Sequence, residues 1–179
     1  MPIDSSVIEL TLDELREVAA YAARCAATAL PIFEGEVPGD ARPREAIEAA
    51  VAFAEGGKRT NAMRSSAWAA FRAAQVAATP AASEAAQAAS AAAGAAFLHP
   101  LAQAAQVKHI LGSAARAARA AELDAGDDPR VGDALIEAVR SDAPEAVIDV
   151  LRRYPVAPND GGRVGELMRL LDSALRDQR

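Results

Sequence analysis

The sequence predicts an all-α protein: a compact single-domain bundle of seven or eight helices over residues 1–179, with a buried alanine-rich central helix. Three observations carry this. Alanine supplies roughly a quarter of the chain, well above ordinary usage, and it is the best helix former because it loses no side-chain entropy. Aromatic residues make up only 4%, and no run of β-branched residues is long enough to read as a strand. Cap residues followed by apolar positions at three-and-four spacing recur along the chain. A length of 179 residues suffices for one core without staples.

Thr11-Leu12-Asp13-Glu14 has the form of a capping box, so a first helix starts at Leu12. Leu12, Leu15, Val18, Ala19, Ala22, Cys25, Ala26, Ala29 and Leu30 form its buried stripe, and Pro31 marks its end. Cys25 lies on that stripe, which makes it a buried thiol. The segment PIFEGEVPGDARP reads as a connector, after which Asp40 or Arg42-Pro43 opens a second helix that Gly56-Gly57 stops. A third helix runs from about Thr60 to Ala78, and Thr79-Pro80 caps a fourth. His99-Pro100 interrupts the chain, and a fifth helix follows from about Leu101 to Ala125. Asp127-Asp128-Pro129 opens a sixth, Asp142 to Glu145 a seventh, and Val164 to Arg176 forms the last.

The fourth helix contains EAAQAASAAAGAAFLH, with one charge in sixteen residues. Alanine contributes little to bilayer insertion, and Ser83, Glu84, Gln87 and Ser90 oppose it, so the segment does not read as membrane-spanning. Its place is the centre of the bundle, with Ser83, Gln87, Ser90, Gly94 and Phe97 as a stripe that lets backbones approach. The alternative is an apolar dimerisation face, which makes a homodimer the competing use of the same surface.

A net charge of −6 argues against nucleic-acid binding, which needs clustered cations to release phosphate counterions, and by itself suits a basic partner. The single cysteine and the absence of a zinc-like Cys/His cluster fit a reducing cytoplasm, and MPIDSSVIEL lacks the pattern of a signal peptide. No phosphate-binding loop, HExxH or GxSxG motif is present, which lowers the odds of an enzyme and calls for no cofactor.

Five residues stand out as candidates for binding. Arg64, Trp68 and Arg72 lie four apart on one face of the third helix, preceded by Lys58 and Arg59 with no acid until Glu84. This face suits an acidic ligand or partner with Trp68 as its anchor; a lone tryptophan more commonly fills the core, with its arginines paired to acids on neighbouring helices. His99 and His109, ten residues apart, would diverge on a continuous helix and so do not predict a metal site; the break at Pro100 loosens that geometry. Arg116, Arg119 and Glu122 read as a solvated face.

LTLDELREVAAYAARCA, ARPREAIEAAVAFAEGGKRTNAM, HPLAQAAQVKHILGSAARAARAAELDAGDDP and VLRRYP together resemble a family of small alanine-rich helical proteins of GC-rich bacteria described as immunity proteins. The resemblance spans nearly the whole chain. It implies a cytoplasmic protein that binds a toxin and blocks it by occlusion. Some members carry an exonuclease SbcC-like label, but such an ATPase needs a phosphate-binding loop and a long coiled coil, and this sequence has neither. Residue chemistry leaves two other readings open: a small-molecule binder or unusual enzyme with a pocket between helices near His99, and a structural homodimer.

Overall fold

Helices begin where the chain offers an oxygen to the unpaired amides of a first turn. The computed structural model describes residues 6–178 and has, among them, eight α-helices: α1 Leu12–Glu36, α2 Arg42–Ala54, α3 Asn61–Val76, α4 Pro80–Ala95, α5 Val107–Asp124, α6 Pro129–Ser141, α7 Glu145–Arg152 and α8 Gly162–Arg176. The signal-peptide reading rests partly on Met1 to Ser5, which lie outside the described residues. Thr11, Thr60, Thr79 and Asp128 cap α1, α3, α4 and α6 through their side-chain oxygens. The α1 capping box is complete, with Glu14 Oε2 accepting from the Thr11 amide at 2.8 Å. Arg153, just past α7, donates to the same carboxylate at 2.5 and 3.0 Å. These bonds, Arg153 first, hold the Glu14 carboxyl down at about 2. The stability they contribute is present above the ordinary carboxylate range and fades as the pH falls toward that value.

Two boundaries differ from the sequence reading. Helix α1 runs through Pro31 for more than another turn. Proline deprives the Ala27 carbonyl of its helical donor, but Ala27 and Pro31 are both exposed, so water can replace the lost bond. The extra turn buries Phe33 and delivers Glu36 to the start of α4, where its carboxylate accepts from the amides of Ala78 at 2.5 Å and Thr79 at 3.2 Å. Leu101 does not begin a helix. It forms an isolated bridge with Val7, and the flanking bonds Ile8 N to Pro100 O and Ala102 N to Ser6 O engage the backbone; a 3₁₀ turn, Ala104–Gln106, then leads into α5.

Helix α4 is the centre. Helices α1, α2, α3 and α5 all pack against it, and Ala82, Ala85, Ala89, Ala92 and Ala93 are fully buried. One-carbon side chains let helix backbones come close. At the α1–α4–α5 junction the Ser113 hydroxyl reaches the carbonyls of Ala22 at 2.7 Å and Ala88 at 3.1 Å. The alanine face considered for dimerisation is thus covered by the chain's own helices.

Glu122 is not on a solvated face; it is 0% exposed. Gly132 of α6 leaves the space for it, since a Cβ there would fall 2.1 Å from Glu122 Oε1. Arg119 donates at 2.8 Å and Arg163 of α8 at 2.5 and 3.0 Å, neutralising the buried carboxylate and tying α5 to α8. Arg116 is likewise engaged, with Glu84 at 2.7 Å.

Cys25 is 2% exposed, and burial pushes its thiol up to about 12. Thiolate is the reactive form. Iodoacetamide is therefore expected to leave the native protein unlabelled in mildly alkaline buffer and to label it fully in guanidinium. Mass spectrometry reads the outcome, and rapid labelling of the folded chain would contradict the buried position. Among the described residues no helix is long and apolar enough to cross a membrane.

Candidate functional site

The side of α4 and α5 turned away from α1 forms the floor of a cleft, with α3 as one wall and α8 with its preceding loop as the other. Its volume is about 930 Å³. The floor is shallow-chained: Ser90, Ala91 and Gly94 from α4 and Gly112 from α5. This places the stripe read as the close-packing face differently. Ser83, Gln87, Ser90, Gly94 and Phe97 are half-buried, and the alanines on the other side of α4 make the tightest contacts. Ser90 still bonds across to α3, donating to the Ala67 carbonyl at 2.8 Å.

Trp68 stands at the lip. It is 61% exposed and meets Phe71 edge to face, with ring centroids 5.7 Å apart at 87°. The core reading of the lone tryptophan is therefore wrong, because α3 buries Met63, Ala70, Ala73 and Ala74 instead. Arg64, one turn before it, lies 4.6 Å over the Phe97 ring, and Arg59 stacks on the same ring at 5.7 Å. Such stacking orients a guanidinium and leaves its charge uncancelled. Arg72 is exposed on α3 but does not line the cleft.

The break at Pro100 brings both histidines to the cleft. His99 is exposed; its amide donates to Gln106 Oε1 at 3.0 Å and its carbonyl accepts from the Tyr154 hydroxyl at 2.8 Å. His109 sits against Gly94, with Nδ1 3.1 Å from the Gly94 carbonyl. A carbonyl can only accept, so Nδ1 carries the proton and Nε2 is left as the other polar atom of the ring. Burial lowers the His109 pKa, partly offset by the Gly94 bond, and the charges of Lys108 and His99 lower it further. The ring is neutral at neutral pH. Among the described residues no three His, Cys, Asp or Glu side chains are grouped as a metal ion requires.

Arg64, Trp68, His99 and His109 thus share one cleft, while Arg72 flanks it. Sequence reading passed over Lys108, Phe71 and the whole α8 wall. A signal for Lys108 was present: between Gly56 and Ala121 the chain carries seven basic residues and one acid, Glu84, a net +6 in a protein of −6 overall. The α8 wall left none, since it arrives from more than thirty residues beyond α5.

Residues 9–146 match the family model described as "Imm-5 like putative immunity protein". The chain belongs to this family. No curated protein and no solved structure matches it.

Proposed function

We propose, proceeding from that membership, that this protein binds a toxin and neutralises it by occlusion, with the cleft between α3 and α8 as its contact face. The observation that carries the proposal is Trp68, a large apolar side chain held in water at the lip of a concave, cation-lined surface. Burying such a side chain returns roughly 1.5–3 kcal/mol, and tryptophan is enriched among residues that dominate interfaces. Phe71 buttresses its ring, so little conformational freedom is lost on docking. The family supplies the class of partner.

The second reading, a small-molecule site near His99, is favoured by one observation: both histidines face the same cleft. One experiment separates the two. The tagged protein is recovered from its native cell extract, and both proteins and small molecules are identified by mass spectrometry. A stoichiometric protein that stops growth when expressed alone supports the toxin reading; a co-purified metabolite without a protein sinks it. Trp68→Ala is expected to fold as the parent does, because little of the ring is buried, and to bind that partner at least about 30-fold more weakly, the equivalent of a 2 kcal/mol hot spot. Unchanged affinity in a calorimetric titration would remove Trp68 from the contact face.

A further inference from the structure

We infer that the element the cleft receives is an acidic segment of the partner protein with an apolar side chain that meets Trp68 and Phe71. This rests on the partner reading above, but its evidence is separate: the distribution of unneutralised cations.

Outside residues 56–121, every described arginine except Arg169 faces a carboxylate within 4.0 Å, as expected where acids are in excess. Within that run only Arg116 and Arg119 do. Lys58, Arg59, Arg64, Arg72 and Lys108 have no carboxylate partner among the described residues. Arg64 lines the cleft from the α3 wall and Lys108 from the α5 side of its floor, and Arg59 adjoins it through Phe97. Two acids line it as well: Glu84 is taken by Arg116 at 2.7 Å, and Asp160 stands at the α8 end, so that with Arg64, Lys108 and Arg116 against these two the lining carries a net +1.

The net charge alone suits a basic partner; the cleft reverses that sign. At physiological ionic strength charges are screened over about 8 Å, so a segment lying in the cleft experiences Arg64 and Lys108 and little of the acids on α6 and α7. The acidic remainder of the surface then repels the partner's acidic segment everywhere except at the cleft, which steers it there. Alternation of one apolar anchor and flanking carboxylates matches what the wall presents: Trp68 and Phe71 together, with Arg64 one turn away.

Fluorescence anisotropy tests this on the intact protein with three labelled peptides of one length, each with a central tryptophan and flanks of glutamate, serine or lysine, and with a single-stranded oligonucleotide. The glutamate peptide is expected to bind at least about tenfold more tightly than the others, to weaken with added salt, and to lose that preference in the Arg64→Gln/Lys108→Gln double variant but not in an Arg24→Gln/Arg130→Gln control. Equal binding of the serine or lysine peptide overturns the inference, and so does tighter binding of the oligonucleotide, which would make the cleft a nucleic-acid site. The two proposals fail separately. If a co-purified toxin is bound by the Arg64/Lys108 variant at an unchanged association rate, the acidic-segment inference falls and the immunity reading stands. If the glutamate peptide binds as expected but no protein partner is recovered, the immunity reading falls and the charge preference stands.

Discussion

Ala92→Leu is expected to cost more than about 3 kcal/mol and to lower the melting temperature by roughly 6–12 °C, whereas Ala91→Leu, one residue earlier, leaves it nearly unchanged. The two positions differ by 100° around α4. Ala92 is fully buried on the side of α4 away from the cleft, where the chain's helices pack directly. Leucine adds three carbons there, in a core where α1, α4 and α5 each bury many alanines, side chains that have no rotamer to change. The strain therefore moves whole helices, and the Ser113 bonds to Ala22 and Ala88 at the same junction are the first to open. Ala91 faces the cleft, so a leucine there projects into open space. Thermal and urea unfolding followed by circular dichroism measure both variants. Equal shifts would mean that α4 is not the most tightly packed element.

What the sequence allowed one to read follows from the range of the interaction involved. Caps act over three residues, so Thr11, Thr60, Thr79 and Asp128 located four helix starts without any knowledge of the fold. The continuation through Pro31 was recoverable too, because Phe33 prolongs the stripe of Ala26, Ala29 and Leu30, and Pro31 falls off it. Leu101 was not recoverable: its backbone is occupied by Ser6 to Ile8, over ninety residues away. Glu122 is a similar case, since its burial depends on a glycine of α6 and an arginine of α8. Trp68 was ambiguous for another reason. Alanine occupies the inner side of α3 at 70, 73 and 74 and also the positions beside Trp68 at 67 and 69, so it marks neither side, and only Arg64 and Arg72, one turn to either side of the ring, point that face outward. The cleft was therefore legible as residue types, two arginines, a tryptophan and two histidines, but not as a surface. Its floor depends on Gly94 of α4 lying against His109 of α5, and its second wall on α8.

That wall makes Gly165 the other position of large effect. The loop Pro158 to Gly161 folds back over the first turn of α8, where Arg169 Nη1 clasps the carbonyls of Pro158 at 3.0 Å and Asp160 at 2.9 Å. A Cβ at Gly165 would lie 1.7 Å from Asp160 O and 2.8 Å from its carbonyl carbon. Backbone atoms cannot rotate aside, so either the loop lifts or α8 retreats. Retreat is resisted within the same turn, where Arg163 holds Glu122. The loop must then give way, breaking the Arg169 clasp and displacing Asp160 and Gly161 from the cleft. Gly165→Ala is expected to destabilise the protein by about 3 kcal/mol, with hydrogen-exchange protection lost first in α8 and retained longest in α1 and α4. Gly112→Ala is the matched control on the same cleft. Its Cβ would meet Lys108 Cβ at 3.8 Å and Met168 Cε at 3.9 Å, ordinary contacts, and replacing glycine inside a helix by alanine is worth roughly 0.5–1 kcal/mol in its favour. Opposite signs for two glycine-to-alanine changes lining one cleft would locate the constraint in the loop lying on α8 and not in helix propensity. If both variants are neutral, the loop is held more loosely than the Arg169 bonds require. The α8 wall would then be a movable side of the cleft, one that a docking partner could displace.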